Sequence, residues 1–153
     1  KTLGVGGWLH QPYIGETFSA VAGVASMHRD AGATALHTRQ DSDLATAVMY
    51  TTFPGSFRTS AEQSAFARLS ERVRLTRFGG DCYAYALLTM GFVDLVVEAS
   101  LAPYDIVPII PIVEAAGGVI TDLDGDSPLA GGFVVASANA TVHEQALAVI
   151  QAS

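Results

Sequence analysis

Two acids set the chemical question in this chain of 153 residues. Glu98 closes the valine-rich run "VDLVVE", and Asp105 follows a Pro-Tyr step at the head of "DIVPIIPIVEAAGG". A carboxylate at a strand end and another at a helix start offer hard oxygen ligands of the kind that magnesium or calcium takes. Two acids are too few for a complete site, so a metal centre needs ligands from elsewhere. The structural alternative for Asp105 is a place in a helix's first turn, where a negative charge meets the positive end of the backbone dipole.

A second stretch, "RFGGDCYA", places Gly79, Gly80, Asp81 and Cys82 ahead of an apolar run with helical spacing. Paired glycines let a backbone approach a ligand closely, and the start of a helix presents free N–H groups to an anion. The plainer reading stays open: the glycines make a tight turn and Asp81 is a helix cap. Other patterns carry less. The acids of "DLDGDSP" lack the spacing of a calcium loop, because the glycine falls at the fourth position and Phe133 at the twelfth. "GVGG" lacks the third glycine of a dinucleotide fingerprint. His10, His28, His37 and His143 have no metal-binding spacing, and there is no Gly-x-Ser-x-Gly elbow.

The elements that must position these residues follow from periodicity and turn chemistry. Residues 3–25 read as two strands around the turn "QPYIGE", and 26–43 as a polar connector. "LATAVMYTT" reads as a buried strand. Ser60 and Gln63 match a capping box, which predicts a helix over 61–72 with Phe66 and Leu69 facing inward. "RVRLTRF" alternates as a strand does. Asp81 to Gly91 then reads as a helix, with the glycine as its stop, and "FVDLVVEA" as a strand covered on both faces. A helix over 105–116 ends at Gly117 and Gly118; the strands "VITDL" and "FVVASA" and a last helix capped by Asn139 or Thr141 complete the chain. Strand, helix, strand order from residue 72 onward predicts an α/β domain with a largely parallel sheet. In such sheets ligands gather at the carboxyl ends of the strands, where the loops bearing Asp81 and Asp105 both fall.

Composition narrows the class. Half the residues are apolar and 15% are charged, which excludes a disordered chain. A net charge of −7 with eight Lys and Arg argues against tracking nucleic-acid phosphates. Acids at 94, 98 and 105 interrupt the longest apolar stretch, so no membrane span is expected. The single cysteine cannot form an internal disulfide, which points to a reducing compartment such as the cytoplasm.

Residues 72–150 resemble the C-terminal half of the inositol monophosphatase superfamily. Its closing signature is Trp-Asp followed by an apolar helix ending in Glu-Ala-Gly-Gly, here Tyr104, Asp105 and "IVPIIPIVEAAGG". Tyrosine for tryptophan, "LAPYD" and "DCYAYALL" resemble the histidinol-phosphate phosphatase branch. The resemblance implies the C-terminal part of an αβαβα sandwich, with strands over 1–25 belonging to the sheet of an N-terminal domain and 26–153 forming the C-terminal α/β domain. It implies a magnesium-dependent phosphatase of small phosphate monoesters, histidinol phosphate first and inositol monophosphate second, and a homodimer. Asp105 becomes a magnesium ligand; Gly80, Asp81, Cys82 and Glu98 become substrate-binding residues, with Asp81 and Glu98 favouring a cationic amino alcohol. The superfamily's other metal ligands, in a Glu-Glu segment and an Asp-Pro-x-Asp-Gly-Thr loop, do not occur here. No catalytic residue is therefore expected within the segment, which is expected to be inactive alone. In the complete enzyme the resemblance implies magnesium-activated water attacking phosphorus in line. A reading of another class is a non-catalytic ligand-binding or interaction module that keeps the fold without the metal loop.

Overall fold

The computed structural model describes residues 6–30 and 32–152; the part of the first expected strand that falls on residues 3–5 lies outside them. Four strands, β1 (Gly6–Gln11), β2 (Glu16–Val21), β3 (Val24–Arg29) and β4 (Gly32–Ala35), form an antiparallel meander in sequence order. The expected pair around "QPYIGE" is present as β1 and β2. The sheet continues through β3 and β4, so two more strands stand where a connector was read over 26–43. These strands expose most of their residues, β4 all four, and lack the apolar alternation that marks a half-buried strand. Between β2 and β3, Ala22 (φ 52°) and Gly23 (φ 80°) make a two-residue turn in which both residues are left-handed, the geometry that matches strand twist.

The second sheet contains β5 (Val48–Thr51), β6 (Leu75–Phe78), β7 (Leu95–Leu101), β8 (Val119–Thr121) and β9 (Gly132–Ser137), in the order β6-β5-β7-β9-β8. β5 is parallel to β6 and to β7, whereas β9 runs antiparallel to both β7 and β8. The largely parallel sheet expected from strand–helix alternation thus holds for four strand directions and fails for β9. The physical reason lies in residues 122–131, a loop without a helix: it returns the chain from β8 to an adjacent strand and cannot make the crossover that parallel pairing requires.

Among the described residues the sheets are covered by the α-helices α1 (Ser60–Arg72), α2 (Tyr83–Thr89), α3 (Pro103–Ile106), α4 (Ile110–Ala115) and α5 (Ala140–Gln151). α1 starts one residue before the expected position. Thr59 is its cap and Glu62 closes the box, while the Gln63 side chain donates to the Phe57 carbonyl instead. The single helix expected over 105–116 is two short ones. Pro108 has no N–H to donate and its ring clashes with the preceding turn, which breaks the ladder between α3 and α4. β1 crosses this break so closely that a Cβ on Gly7 would stand 1.9 Å from the Pro108 carbonyl oxygen. α5 is capped by Asn139, whose Oδ1 accepts the Val142 N–H at 2.9 Å.

β7 is the central strand, and its side chains feed both cores. Leu95, Val97 and Ala99 pack with Met49, Phe133, Leu69 and Val142 against α1 and α5. Val96 points the other way, to a cluster with Phe18, Leu88, Ile110 and Ala136 that joins α2 and α4 to the first sheet. Burying each such branched side chain stabilises by roughly 1.5–3 kcal/mol. The layers therefore run sheet, helices, sheet, helices, with α2 and α4 clamped between the two sheets. Glu16 on β2 secures that clamp: it is buried and accepts the Tyr83 hydroxyl at 2.7 Å. Burial and this carboxylate push the Tyr83 phenol up to about 12, so it remains the donor.

Candidate active site

The carboxyl ends of β5 and β7 open onto a cavity of about 520 Å³. Glu98 lies in β7 just before a bulge at Glu98–Leu101, where Ser100 adopts φ 63° and its hydroxyl donates to the Ser56 carbonyl at 2.9 Å. Bulges re-aim side chains at strand ends, and this one ties the end of β7 to the loop after β5. The Glu98 side chain is buried and held by neutral donors. Its Oε1 accepts the Thr52 N–H and the Thr52 hydroxyl, and its Oε2 accepts the Tyr85 hydroxyl at 2.9 Å. Full burial and the adjacent Glu98 carboxylate drive the Tyr85 phenol well above its ordinary range, which fixes the direction of that hydrogen bond. Three of the roughly four acceptor positions of a carboxylate are thereby used, leaving Glu98 rigid with little capacity to spare.

Asp105 is exposed and lines the same cavity. Its Oδ2 accepts the Ala102 N–H at 2.9 Å, across the first turn of α3. Asp105 thus occupies the first-turn position given as the structural alternative and also closes that turn with a hydrogen bond, while its second oxygen has no hydrogen bond to any described residue. One open carboxylate oxygen suits magnesium, but an octahedral ion wants about six oxygens. Among the described residues, no three His, Cys, Asp or Glu side chains come together to hold a metal. These residues therefore do not form a magnesium site by themselves.

Asp81 and Cys82 also line the cavity, whereas Gly80 does not and packs instead against α2 and β5. A Cβ on Gly80 would meet Ala84 at 2.8 Å and Tyr50 at 3.0 Å, so its lack of a side chain lets the loop close against α2 and β5. Asp81 is not the helix cap that its place in the sequence suggests. It adopts φ 43°, and the cap position falls on Cys82, which is already helical and makes no side-chain cap bond. The Asp81 carboxylate makes no hydrogen bond or ion pair with any described residue. Partial burial, then the charge of Asp81, push the Cys82 thiol upward, so it stays protonated and is a poor nucleophile.

Asp81, Cys82, Glu98 and Asp105, from two consecutive loops and the strand between them, thus share one concave wall. The wall also includes Thr52, Tyr85, Trp8 and Phe53, which sequence reasoning did not single out, together with Tyr104 of the closing signature and His10, which had been read only as lacking metal-binding spacing. Thr52 and Tyr85 were findable in principle, one residue past a parallel strand and one helical turn after "GGD". Trp8 and His10 come from the other sheet, and nothing in their local pattern signals that they reach this cavity. Elsewhere, Asp122 Oδ1 accepts the N–H groups of Asp124 and Asp126 at 3.0 and 2.9 Å, which makes "DLDGD" the solvated turn that its spacing indicated.

Residues 2–153 match the inositol monophosphatase family. Among curated proteins, the bifunctional phosphatase IMPL2, chloroplastic, of Arabidopsis thaliana is 44% identical over 121 residues, covering 73% of this chain and 35% of that protein. A histidinol-phosphatase of Mycobacterium tuberculosis is 34% identical over 82 residues, 54% of this chain and 31% of that protein. The chain thus spans about a third of the length of these relatives. Among solved structures, an inositol monophosphatase from Zymomonas mobilis superposes with a TM-score of 0.87 at 32% identity, covering 97% of this chain and 58% of that one. The Thermotoga maritima IMPase superposes with a TM-score of 0.77 at 24% identity, covering 95% and 55%. No helix among the described residues is long and apolar enough to cross a membrane.

Proposed function

Because the chain belongs to the inositol monophosphatase family, we propose that it is part of a magnesium-dependent phosphatase that hydrolyses a small phosphate monoester, histidinol phosphate to histidinol, in the cytoplasm and as a homodimer. Asp105 lends its open oxygen to a metal site completed by groups beyond the described residues. Glu98 faces the alcohol end of the substrate from a fixed position, with its remaining acceptor capacity turned to a substrate O–H or N–H. Gly80 shapes the loop that carries Asp81 and Cys82 to the same substrate.

The observation that carries this reading is the meeting of Glu98, Asp105 and Asp81 at one cavity above the carboxyl ends of β5 and β7. That is where an open α/β sheet places its ligands. Histidinol phosphate is preferred over inositol monophosphate because relatives named histidinol-phosphatase recur among the curated matches and because an acidic wall suits an amino alcohol. The alternative of another class is a ligand-binding module without catalysis, which the cavity wall would also serve.

Phosphate release from histidinol phosphate and from inositol 1-phosphate decides between them, measured with and without magnesium. The protein from the complete coding sequence is expected to prefer histidinol phosphate and to lose turnover when magnesium is chelated, while residues 1–153 alone release no phosphate. Absence of magnesium-dependent turnover of either ester by the complete protein would leave the binding module as the reading.

A further inference from the structure

The cavity wall has a charge asymmetry that bears on which end of a ligand it takes. Asp81, Glu98 and Asp105 line it, and among the described residues no Lys or Arg does. Carboxylates without a balancing cation repel phosphate oxygens and attract an ammonium or imidazolium group. Such a wall meets the end of a phosphate ester away from the phosphorus.

Three aromatic side chains stand at the same cavity with much of their surface in water: Trp8 is 60% exposed, Phe53 64% and Tyr104 80%. They come from β1 of the first sheet, from the loop after β5 and from the first turn of α3. Large apolar groups left exposed around a concave site mark binding surfaces rather than core. Aromatic faces attract cations, most strongly once the pair is desolvated. Asp81 adds an acid with no partner among the described residues, on a backbone held at φ 43°, a conformation that costs a non-glycine residue free energy and is found disproportionately at ligand sites. Glu98, by contrast, is already engaged by Thr52 and Tyr85.

We propose that Trp8, Phe53, Tyr104 and Asp81 form a subsite for the cationic nitrogen-bearing end of the ligand, and that these four residues, more than Glu98, select an amino alcohol over a neutral polyol. The subsite rests on the phosphatase reading for its place in the reaction, but its binding preference is separable from turnover. Calorimetric titration of the complete protein with L-histidinol and with myo-inositol, both lacking phosphate, tests it directly. Histidinol is expected to bind at least about tenfold more tightly, the equivalent of roughly 1.4 kcal/mol. Asp81→Asn and Trp8→Leu are each expected to cut that preference at least fivefold, and Trp8→Tyr to retain most of it. Equal affinities in the unaltered protein, no measurable binding of either ligand, or variants that weaken both ligands equally would overturn the subsite. If the preference holds but no phosphate ester is hydrolysed, the phosphatase reading fails and the subsite stands. If turnover is intact and discrimination ignores these residues, only the subsite fails.

Discussion

β7 carries two buried acids, Asp94 just before its first residue and Glu98 at its middle, ahead of the bulge that leads to its carboxyl end. Asp94 is tied to a cation: Arg39 Nη2 stands 2.8 Å from both of its oxygens, and Oδ2 also accepts the Val48 N–H at 2.8 Å. Its backbone is pinned as well, donating to the Val48 carbonyl and accepting from Ala138. Glu98, at mid-strand where the bulge toward the carboxyl end begins, meets only neutral donors among the described residues and faces an open cavity. The amino end of the strand is closed by an ion pair that joins the 36–43 connector to β5, β7 and the start of α5, where Asn139 donates to the carbonyls of Arg39 and Ser42. The carboxyl end keeps its acid rigid without neutralising it. The difference shows one strand using the same chemistry for two purposes, stability at one end and ligand contact at the other.

Breaking the closed end carries the largest expected effect. Arg39→Met leaves the Asp94 carboxylate buried without its cation, and loss of one member of a buried pair costs about 3–5 kcal/mol. The lower part of that range is expected because the Arg39 side chain is itself 35% exposed. Urea unfolding gives the number, and Asp94→Asn added to Arg39→Met is expected to recover part of it. A single Arg39→Met variant with an unchanged midpoint would remove the contrast between the two ends.

The closed end holds a second buried polar group, and it sharpens the comparison through pH. His143 Nδ1 lies 3.0 Å from the Ser137 hydroxyl and Nε2 3.0 Å from that of Thr121. The Thr121 hydroxyl already donates to the Asp122 carbonyl at 2.7 Å, so its oxygen accepts from Nε2–H and Ser137 donates to Nδ1. This is a neutral imidazole, and burial holds its pKa below the ordinary 6.5. The sign follows from linkage: above pH 6.5 neither state binds the proton and stability is complete. As pH falls below 6.5 the unfolded chain binds it and the folded one does not, so stability drops by up to about 1.4 kcal/mol per pH unit until the folded imidazole also titrates. Chemical denaturation between pH 7 and 5 is expected to show this slope, and His143→Gln to flatten it.

How much of this was legible depended on whether a residue's neighbours in space were also neighbours in sequence. The order of elements after residue 44 could be read because valine runs, glycine stops and the Asn139 cap act locally. The proline break in "IVPIIPIV" is also local: Pro108 has no N–H to donate, which is why 105–116 divides into α3 and α4. β3 and β4 were invisible because exposed strands held by backbone pairing leave no apolar alternation. The site divided the same way. Glu98, Asp105 and Asp81 were singled out as acids at the carboxyl ends of strands, and they do line one cavity. Trp8 arrives there only because β1 passes over the break between α3 and α4, a contact set by tertiary packing around Gly7.

The smallest expected change in stability belongs to Asp105, and its smallness is informative. In Asp105→Asn the amide oxygen can still accept the Ala102 N–H that Oδ2 now holds. What is lost is a surface charge at the start of a four-residue helix, worth at most about 0.5 kcal/mol. If the exposed oxygen serves only the fold, nothing else should follow. If it is a metal ligand, the complete enzyme should need at least about tenfold more magnesium for half-maximal turnover, since even outer-shell changes cost that much in metal affinity. A magnesium titration that superimposes on that of the unaltered protein would return Asp105 to the class of Asp94, an acid placed for structure. A large shift at unchanged stability would put it with Glu98 at the working end of β7, and would separate the two ends by function as clearly as the ion pair separates them by packing.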